Sequence, residues 1–294
     1  MTARQDQQFS PLPDVGRWQR LIGDARPVER LQAAYQVERG LRDRLMAAPR
    51  EARGQLYTAV YKMLFASLPD HPQLSRPPAD KARRVASQLA FLAPYLDGQT
   101  TYLEVGCGDA TLTFAVAAKI AAAYGLDVTP ELIDTAGAPG NFRFVPTDGT
   151  TIPLPDSSID LAYSNQLLEH LHPDDAATHL REVRRVLRPG GRYLCRTPSR
   201  VTGPHDVSCY FADEAHGLHL REYDSASIRT LFRDAGFTAT KFLLVVRGRR
   251  IAVPYFFLSG IERTVMQLPS PVRRRLARNG LVRRLFGLDV LAVG

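Results

Sequence analysis

The chain has 294 residues, of which 45% are hydrophobic and 23% charged, and its formal net charge is +8. These values are typical of an ordinary folded protein, large enough for one α/β domain with additional elements. No run of about 18 uncharged apolar residues occurs, which argues against a membrane-spanning protein.

The first quarter of the chain is predicted to be helical. A polar tail over residues 1–16 precedes apolar residues that recur every three or four positions from Arg17 to about Leu68, which indicates two helices. Proline-rich segments over 69–78 indicate an extended connector. We therefore predict a helical extension over residues 1–78, which either packs on the main domain or also covers its substrate.

Strands and helices alternate from about residue 80 onward, and this alternation predicts a parallel sheet. Asp80 is expected to be the N-cap of the first of these helices, and Arg188–Gly191 is expected to be a turn after the third. The predicted strands cover 101–105, 123–126, 141–145, 159–164, 192–196, 240–246 and 288–293. The predicted helices cover 80–96, 110–123, 176–187 and 225–235.

The first predicted strand, Thr101–Val105, ends at a Gly-Cys-Gly turn. Gly106 and Gly108 allow a sharp turn and let a ligand approach main-chain N–H groups. Asp127 follows 21 residues after Gly106, a spacing at which the carboxylate of a second strand meets a nucleotide ribose in a doubly wound sheet. The third glycine of the dinucleotide fingerprint is absent, which argues against a nicotinamide-dependent dehydrogenase.

Five motifs in a fixed order extend this pattern. They are Glu104–Gly108, Asp127, Thr147–Gly149, Asp160–Asn165 with Leu168–Leu171, and Leu187–Gly191. The series resembles the class I S-adenosylmethionine (SAM)-dependent methyltransferases. The resemblance implies an α/β fold, with a doubly wound, mostly parallel seven-stranded sheet and an antiparallel last strand, in a domain over residues 79–294. Residues 247–287 would then form a helical, basic insertion before that last strand.

The resemblance also implies which residues bind SAM. They lie near the carboxyl ends of the first four strands and are Glu104, Gly106, Gly108, Asp127, Asp148, Gly149, Ser164 and Asn165. The first three would shape the pocket for the methionine part. Asp127 would accept both ribose hydroxyls, and Asp148, with the Gly149 backbone beside it, would accept from the adenine amino group. The last two, just past the fourth strand, would flank the sulfonium.

Methyl transfer to a hydroxyl requires alignment of the reacting atoms and removal of a proton, for which histidine has a suitable pKa. His170 follows the fourth strand, and His205 and His219 lie in a loop after the fifth strand that is expected to overhang the cleft. We take these three histidines as candidate general bases. The structural alternative is that they hydrogen-bond backbone carbonyls.

A metal site is a further alternative. Some methyltransferases, including quinone-pathway O-methyltransferases and small-RNA 3′-end methyltransferases, bind a divalent ion through a Glu-x-x-Glu-His segment. Here the segment reads Gln166-Leu-Leu-Glu169-His170, so the first carboxylate is replaced. Because magnesium prefers anionic oxygen ligands, the sequence predicts no metal site.

Basic charge is concentrated in the predicted insertion. Residues 247–287 contain ten arginines and one glutamate, a net charge of +9, so the rest of the chain carries −1. Tyr255, Phe256 and Phe257 lie in the same segment. This combination is typical of an interfacial helix on anionic lipid or of a contact with a phosphate-bearing acceptor. A helical hairpin packed on the sheet is the structural alternative.

The sequence therefore predicts a SAM-dependent methyltransferase acting on an oxygen or nitrogen of a small or medium-sized acceptor. The alternatives are an enzyme for RNA or another phosphate-bearing acceptor, and a non-enzymatic membrane- or partner-binding protein on the same fold. Nucleic acid is not the expected partner, because no RNA-reading module is present. Three scattered cysteines and a polar N-terminus without an apolar signal core predict a cytoplasmic protein, with peripheral membrane contact through 247–287 as an addition.

Overall fold

The computed structural model describes residues 10–246 and 249–294, so most of the predicted N-terminal tail lies outside the described residues. The strands are β1 Thr101–Val105, β2 Ala122–Asp127, β3 Phe142–Pro146, β4 Ile159–Asn165, β5 Leu187–Thr197, β6 Ala239–Val246, β7 Arg249–Val253 and β8 Leu288–Val293. The α-helices are α1 Val15–Ile22, α2 Val28–Ala47, α3 Arg50–Ser67, α4 Pro78–Leu92, α5 Thr111–Ala117, α6 Pro173–Val186, α7 Ser225–Asp234, α8 Tyr255–Met266, α9 Ser270–Ala277 and α10 Gly280–Leu285.

All of these strands form one sheet in the order β3-β2-β1-β4-β5-β8-β6-β7. The first five in this order are parallel to one another. β8 lies antiparallel between β5 and β6, and β7 pairs antiparallel with β6. The predicted doubly wound, mostly parallel sheet with an antiparallel last strand is therefore confirmed. It has eight strands rather than seven, because β7 forms within the predicted insertion.

The sheet separates two apolar cores. On one face, α4 and α5 contribute buried residues such as Phe91 and Val116. On the other face, α6 and α7 pack together with the N-terminal helices, with Leu180 and Phe232 fully buried. Burial on both faces explains why the parallel strands have continuous apolar runs.

The N-terminal helices pack on the domain over its second core. Tyr35 of α2 stacks on Phe211 with the ring centroids 4.7 Å apart. Arg53 of α3 donates to both carboxylate oxygens of Asp175 at 2.7 and 2.8 Å, and the Tyr57 hydroxyl donates to the same carboxylate. These helices therefore share a core with the sheet, and a domain boundary at residues 78 and 79 stays a prediction.

Three predicted boundaries are wrong. α4 begins at Pro78, so Asp80 is not its N-cap but lies in the first turn and pairs with Arg83. The helix predicted over 110–123 ends at Ala117, because the following residues enter β2 between β1 and β3. The predicted turn over 188–191 lies within β5, where the register with β4 shifts.

The basic insertion consists of β7 and three helices, α8 to α10. Much of its charge is engaged by the body of the protein. Arg250 donates to the carbonyls of Ala90 and Phe91, Arg274 pairs with Asp213, and Arg278 pairs with Asp14; the first of these arginines also lies over an aromatic ring. Across the ranges that the structure describes, none of the helices is both long enough and apolar enough to cross a bilayer.

Candidate active site

The glycine turn after β1 has the conformation that the sequence predicts. Gly106 and Gly108 have φ values of 73° and 55°, which are strained for any residue with a Cβ. A Cβ on Gly106 would also lie 3.1 Å from the Leu167 side chain. A larger residue at this position would therefore displace the segment that follows β4.

Asp127 lies at the carboxyl end of β2 and is tied to the glycine turn. One carboxylate oxygen accepts from Gly108 N–H at 2.7 Å, and the other accepts from the backbone N–H and hydroxyl of Thr129. Burial raises the pKa of Asp127, although these hydrogen bonds oppose that effect. A carboxylate has about four acceptor positions, so the oxygen facing Gly108 keeps capacity for another donor.

Glu104 is buried within β1, and one of its oxygens accepts from the Thr113 hydroxyl at 2.6 Å. Burial raises its pKa to about 8. Because Thr113 belongs to α5, this contact connects the strand before the glycine turn to the helix after it. The structure thus brings Glu104, the two glycines and Asp127 together at one edge of the sheet.

Asp148 follows β3 and organises its own loop. Its carboxylate accepts from the backbone N–H groups and hydroxyls of Thr150 and Thr151. Burial favours a higher pKa for Asp148, but these donors hold its pKa below the usual value. Gly149 has a φ of 91°, and a Cβ there would lie 3.0 Å from the Tyr57 ring. Helix α3 therefore closes over the place where the resemblance puts the adenine.

Ser164 and Asn165 differ from expectation, because both lie inside β4 rather than just past it. Ser164 is fully buried, and its hydroxyl contacts the Tyr193 hydroxyl at 2.6 Å, so its side chain is engaged within the sheet. Asn165 is half-buried and lines a cleft at the carboxyl end of the sheet. The chain leaves the strand only at Gln166, whose φ is 59°.

A cleft of about 860 Å³ lies between the N-terminal helices and the loop after β5. Its walls include Glu38 and Tyr61 from α2 and α3, and His170, Asp206 and His219 from the sheet side. The extension thus lines this cleft as well as packing on the domain. This position is consistent with both roles that the sequence left open.

His170 lies in a 3-10 turn, Leu168–His170, before α6. Its Nδ1 is 2.9 Å from the Leu218 carbonyl, which can only accept, so Nδ1 carries the proton. Burial and the neighbouring charge of His219 lower the pKa of His170 to about 3. The ring is therefore neutral at physiological pH, and its Nε2 has a free lone pair.

The pKa of His219 is shifted in the opposite direction to that of His170. Its Nδ1 lies 2.7 Å from a carboxylate oxygen of Glu222, and both side chains are almost completely buried. Burial opposes protonation, but the hydrogen bond to Glu222 and the charges of Asp206 and Glu169 raise the pKa of His219 to about 9. The His219 and His170 rings meet edge to face with their centroids 4.9 Å apart.

His205 has no free ring nitrogen. Its Nε2 is 3.1 Å from the Ser199 carbonyl and 3.0 Å from the Thr202 hydroxyl, and its Nδ1 is 3.2 Å from a guanidinium nitrogen of Arg283. Burial lowers its pKa to about 4. This ring is held in place by its hydrogen bonds, one of them to a backbone carbonyl. Its environment is the one expected under the structural alternative for these histidines.

Glu169 is a site residue for which no role was predicted, although it belongs to the Gln166-Leu-Leu-Glu169-His170 segment. One of its oxygens accepts from the Thr197 hydroxyl at 3.0 Å, whereas the other is buried without a partner. A carboxylate oxygen of Glu169 and ring nitrogens of His170 and His219 lie within 4.8 Å of one another. Glu222 was also missed, because its pairing with His219 occurs in a loop without periodicity.

Comparisons with known proteins find similarity in the central part of the chain. Residues 103–195, from β1 to β5, match a family model described as a methyltransferase domain. This region contains every residue assigned to the cofactor as well as Glu169 and His170. The loop with His219 and the basic insertion lie outside the match.

Three curated relatives are similar to part of the chain. A probable S-adenosylmethionine-dependent methyltransferase of Mycolicibacterium smegmatis is 32% identical over 51% of this chain and 56% of its own. Phosphoethanolamine N-methyltransferase 1 of Arabidopsis thaliana is 32% identical over 46% of this chain and 28% of its own. Trans-aconitate 2-methyltransferase of Methylobacterium radiotolerans is 30% identical over 42% of this chain and 48% of its own.

The chain spans about half the length, or less, of these curated relatives. The shared region contains the glycine turn, the carboxylate after β2 and the parallel strands that carry them. On these grounds residues 103–195 match a methyltransferase domain of the class I SAM-dependent type, and the comparisons support S-adenosylmethionine as its cofactor.

Proposed function

We propose that this protein transfers a methyl group from SAM to an oxygen or nitrogen of a small or medium-sized acceptor bound in the 860 Å³ cleft. The observation that carries the proposal is the position of His219. This buried residue is paired with a carboxylate, and it lines the cleft beside the carboxyl ends of β4 and β5. A histidine oriented by a carboxylate is the usual arrangement of a general base.

The cofactor supplies an electrophilic methyl group on a positively charged sulfonium. The chain's own task is then to fix the cofactor and the acceptor relative to each other. Asp127 has acceptor capacity left for a ribose hydroxyl, and the positive φ values of Gly106 and Gly108 form the tight turn beside it. Tyr61 lines the acceptor cleft, where burial and the charges of Asp127 and Glu169 raise the pKa of its hydroxyl.

Substitution of Asp127 by Asn should weaken SAM binding by about tenfold to a hundredfold, since charge-assisted hydrogen bonds contribute roughly 1.5–3 kcal/mol each. Calorimetric titration with SAM measures this effect. Asp134→Asn is the matched control, because Asp134 is an exposed residue of the following loop. Unchanged affinity in a folded Asp127→Asn protein would contradict the assignment.

The acceptor must lose a proton during transfer to a hydroxyl, or present an uncharged amine. In its deprotonated form, His219 can accept that proton through the ring nitrogen that does not face Glu222. His170 is too weakly basic for this task at neutral pH, and its fixed Nδ1 suits it to accept a hydrogen bond from the acceptor instead. His205 is proposed only as a positioning residue for the loop.

The relatives act on chemically different acceptors by their names, a phosphoethanolamine nitrogen in one and trans-aconitate in another. They support a small-molecule acceptor without deciding between oxygen and nitrogen. The buried histidines and Glu222 belong to a cleft whose volume suits a small molecule rather than a nucleic-acid polymer. The site therefore gives less support to an RNA substrate or to a non-enzymatic role.

A divalent cation is a second candidate for the histidine cluster, and one observation favours it. The unpartnered oxygen of Glu169 is buried beside nitrogens of His170 and His219. These three residues would hold the ion, and imidazole and carboxylate ligands suit a transition metal better than magnesium. Such an ion would lower the pKa of an acceptor hydroxyl. The expectation of no metal stays untested.

We also propose that the insertion contacts anionic membranes through α8. Phe256 and Phe257 are 76% and 58% exposed, Ile261 is 38% exposed, and Arg263 is exposed on the same helix. Exposed aromatic residues beside basic groups favour an interfacial contact. The charges of Arg250, Arg274 and Arg278 are engaged elsewhere. The electrostatic attraction would therefore come from other arginines such as Arg263, and the exposed aromatic residues would hold the helix at the surface.

Co-sedimentation with vesicles tests this contact. We expect the protein to pellet with vesicles that contain phosphatidylserine and to be released as salt shortens the Debye length from about 10 Å at 0.1 M to 3 Å at 1 M. Phe256→Ser/Phe257→Ser should abolish pelleting, whereas Ile22→Ser, which removes an exposed apolar residue of α1, should not. Equal pelleting with neutral vesicles, or none with either, would rule the contact out.

A further inference from the structure

A second cleft, of about 400 Å³, lies beside the proposed acceptor cleft at the carboxyl end of the sheet. Arg84, Gln166 and His205 line both clefts, so the two are neighbours with a common wall. The residues that line only the smaller cleft include Arg196 and Arg283. An acceptor that fills both clefts would therefore have one end near the histidine cluster and the other end among arginines.

The smaller cleft has more cations than anions. Of its three arginines, Arg196 is paired with Asp289 at 2.6 Å. Asp289 is the one acidic residue among those that line it in the described part of the chain. Arg84 and Arg283 have no carboxylate within salt-bridge distance among the residues that the structure describes. Two guanidinium groups are thus left without a counter-charge in one cleft.

Both of these arginines are in environments that disfavour an uncompensated charge. Partial desolvation and the charges of Arg76 and Arg196 lower the pKa of Arg84, although its side chain is exposed on α4. Burial likewise lowers the pKa of Arg283, which is half-buried. An arginine stays protonated in proteins, so both guanidinium groups would attract an anion that enters the cleft.

Arg283 is also held in position before any ligand arrives. Its guanidinium lies over the Trp18 ring, with 5.2 Å from the guanidinium carbon to the ring centroid. One of its nitrogens donates to Nδ1 of His205, whose Nε2 is fixed by the Ser199 carbonyl. A guanidinium oriented in advance loses little entropy when it binds an oxyanion, and its planar fork fits a carboxylate or a phosphate.

We infer that the methyl acceptor of this protein carries an acidic group, a carboxylate or a phosphate, which Arg84 and Arg283 bind in the smaller cleft. This inference rests on the proposed methyl transfer and names the substrate class for the same site. The acidic group fixes one end of the acceptor, and the reacting oxygen or nitrogen then lies toward His219. Arg84 and Arg283 are accordingly specificity residues, and His205 positions the second of them.

Anion binding can be measured without knowing the acceptor. Inorganic phosphate and succinate are titrated separately into the full chain saturated with S-adenosylhomocysteine, and the binding is followed by NMR chemical shifts at constant ionic strength set with chloride. We expect at least one of the two to bind. Preference for phosphate or for succinate identifies the kind of acidic group, and binding of both supports the shared oxyanion chemistry.

Arg84→Gln and Arg283→Gln should each weaken this binding by about tenfold, the value of one charge-assisted hydrogen bond. Arg283→Lys should give an intermediate loss, because it keeps the charge without the fork. Arg83→Gln is the matched control, since Arg83 is the next residue on α4, is exposed and pairs with Asp80. Affinity for S-adenosylhomocysteine should stay unchanged in all four variants.

Failure of both anions to bind, or equal binding by Arg84→Gln, Arg283→Gln and the wild type, would overturn the inference. A screen with tritiated SAM gives an independent check, using acceptor pairs that differ only in a carboxylic acid and its primary amide. Preferred methylation of the amides would also overturn it. If S-adenosylhomocysteine itself does not bind, the proposed methyl transfer fails, whereas the anion titration still reports on the arginines.

Discussion

Replacement of His219 by Gln should lower the rate of methyl transfer by about 10²–10⁴-fold while leaving SAM affinity intact. His219 is the buried histidine whose pairing with Glu222 raises its pKa to about 9. A general base works only in its deprotonated form, so kcat/KM of the wild type should rise with pH and level off above about pH 9. The variant should lose this dependence. Initial rates with tritiated SAM between about pH 6 and pH 10, a range that includes the pKa of about 9, measure both effects.

The stability of the fold should change with pH in the opposite direction to the rate. The pKa of His219 is higher in the folded than in the unfolded state, so its pairing stabilises the fold fully below about pH 6.5. This contribution is lost as the pH rises through about 9. Glu104, whose pKa burial raises to about 8, adds to the same loss. The rate should therefore be highest where the free energy of unfolding is already falling.

His216→Gln is the control for this experiment, because His216 lies in the same loop and is half-buried. It should keep the wild-type rate and pH profile. Full activity of His219→Gln would exclude His219 as the base. Loss of activity after dialysis against a chelator, with recovery on addition of a transition metal, would instead favour the cation bound by Glu169, His170 and His219.

Replacement of Arg53 by Ala should reduce the free energy of unfolding by about 3–5 kcal/mol, the usual cost of removing one partner from a buried ion pair. Arg53 is 4% exposed and Asp175 is 1% exposed, and two hydrogen bonds join them. Without the guanidinium, the Asp175 carboxylate keeps the Tyr57 hydroxyl as its one side-chain donor among residues 10–246 and 249–294. Urea denaturation followed by circular dichroism measures the change.

Arg50→Ala is the matched control, because Arg50 begins the same helix and makes an exposed hydrogen bond to Thr178. Its effect should stay within about 0.5 kcal/mol. A loss in Arg53→Ala no larger than this would show that the N-terminal helices depend on apolar packing alone. A Cβ on Gly149 would lie 3.0 Å from the Tyr57 ring, so the ring is close to the proposed SAM site. The Arg53 variant should therefore weaken SAM binding through the position of α3.

Much of the parallel half of the sheet could be predicted from the sequence. β1 to β4 are short apolar runs that end at glycine or at a polar residue, and this pattern has few alternatives. The helix after the glycine turn was predicted too long because alanine favours helix, yet Ala122 and Ala123 are bound into the sheet by β1 and β3. Tertiary pairing outweighed the local preference there.

The strand β7 could not be predicted, because its first residues are Arg249 and Arg250 rather than apolar ones. Arg250 is accommodated by backbone carbonyls of α4 and by the Phe91 ring, contacts between residues about 160 positions apart. The ribose carboxylate and the glycine turn were predicted from spacing. The His219–Glu222 pair was not, since an irregular loop gives no period from which side chains can be placed together.

The position of β8 has a consequence for the order of events during synthesis. This strand follows all the others in the chain, yet it lies in the interior of the sheet, between β5 and β6. The five parallel strands can assemble while the ribosome is still working. Until residues 288–293 emerge, β5 and β6 each keep a row of backbone donors and acceptors unpaired, and such rows recruit other chains. The newly made protein is thus most prone to aggregate until residues 288–293 have emerged. Pairing of β8 with both β5 and β6 then ends that interval.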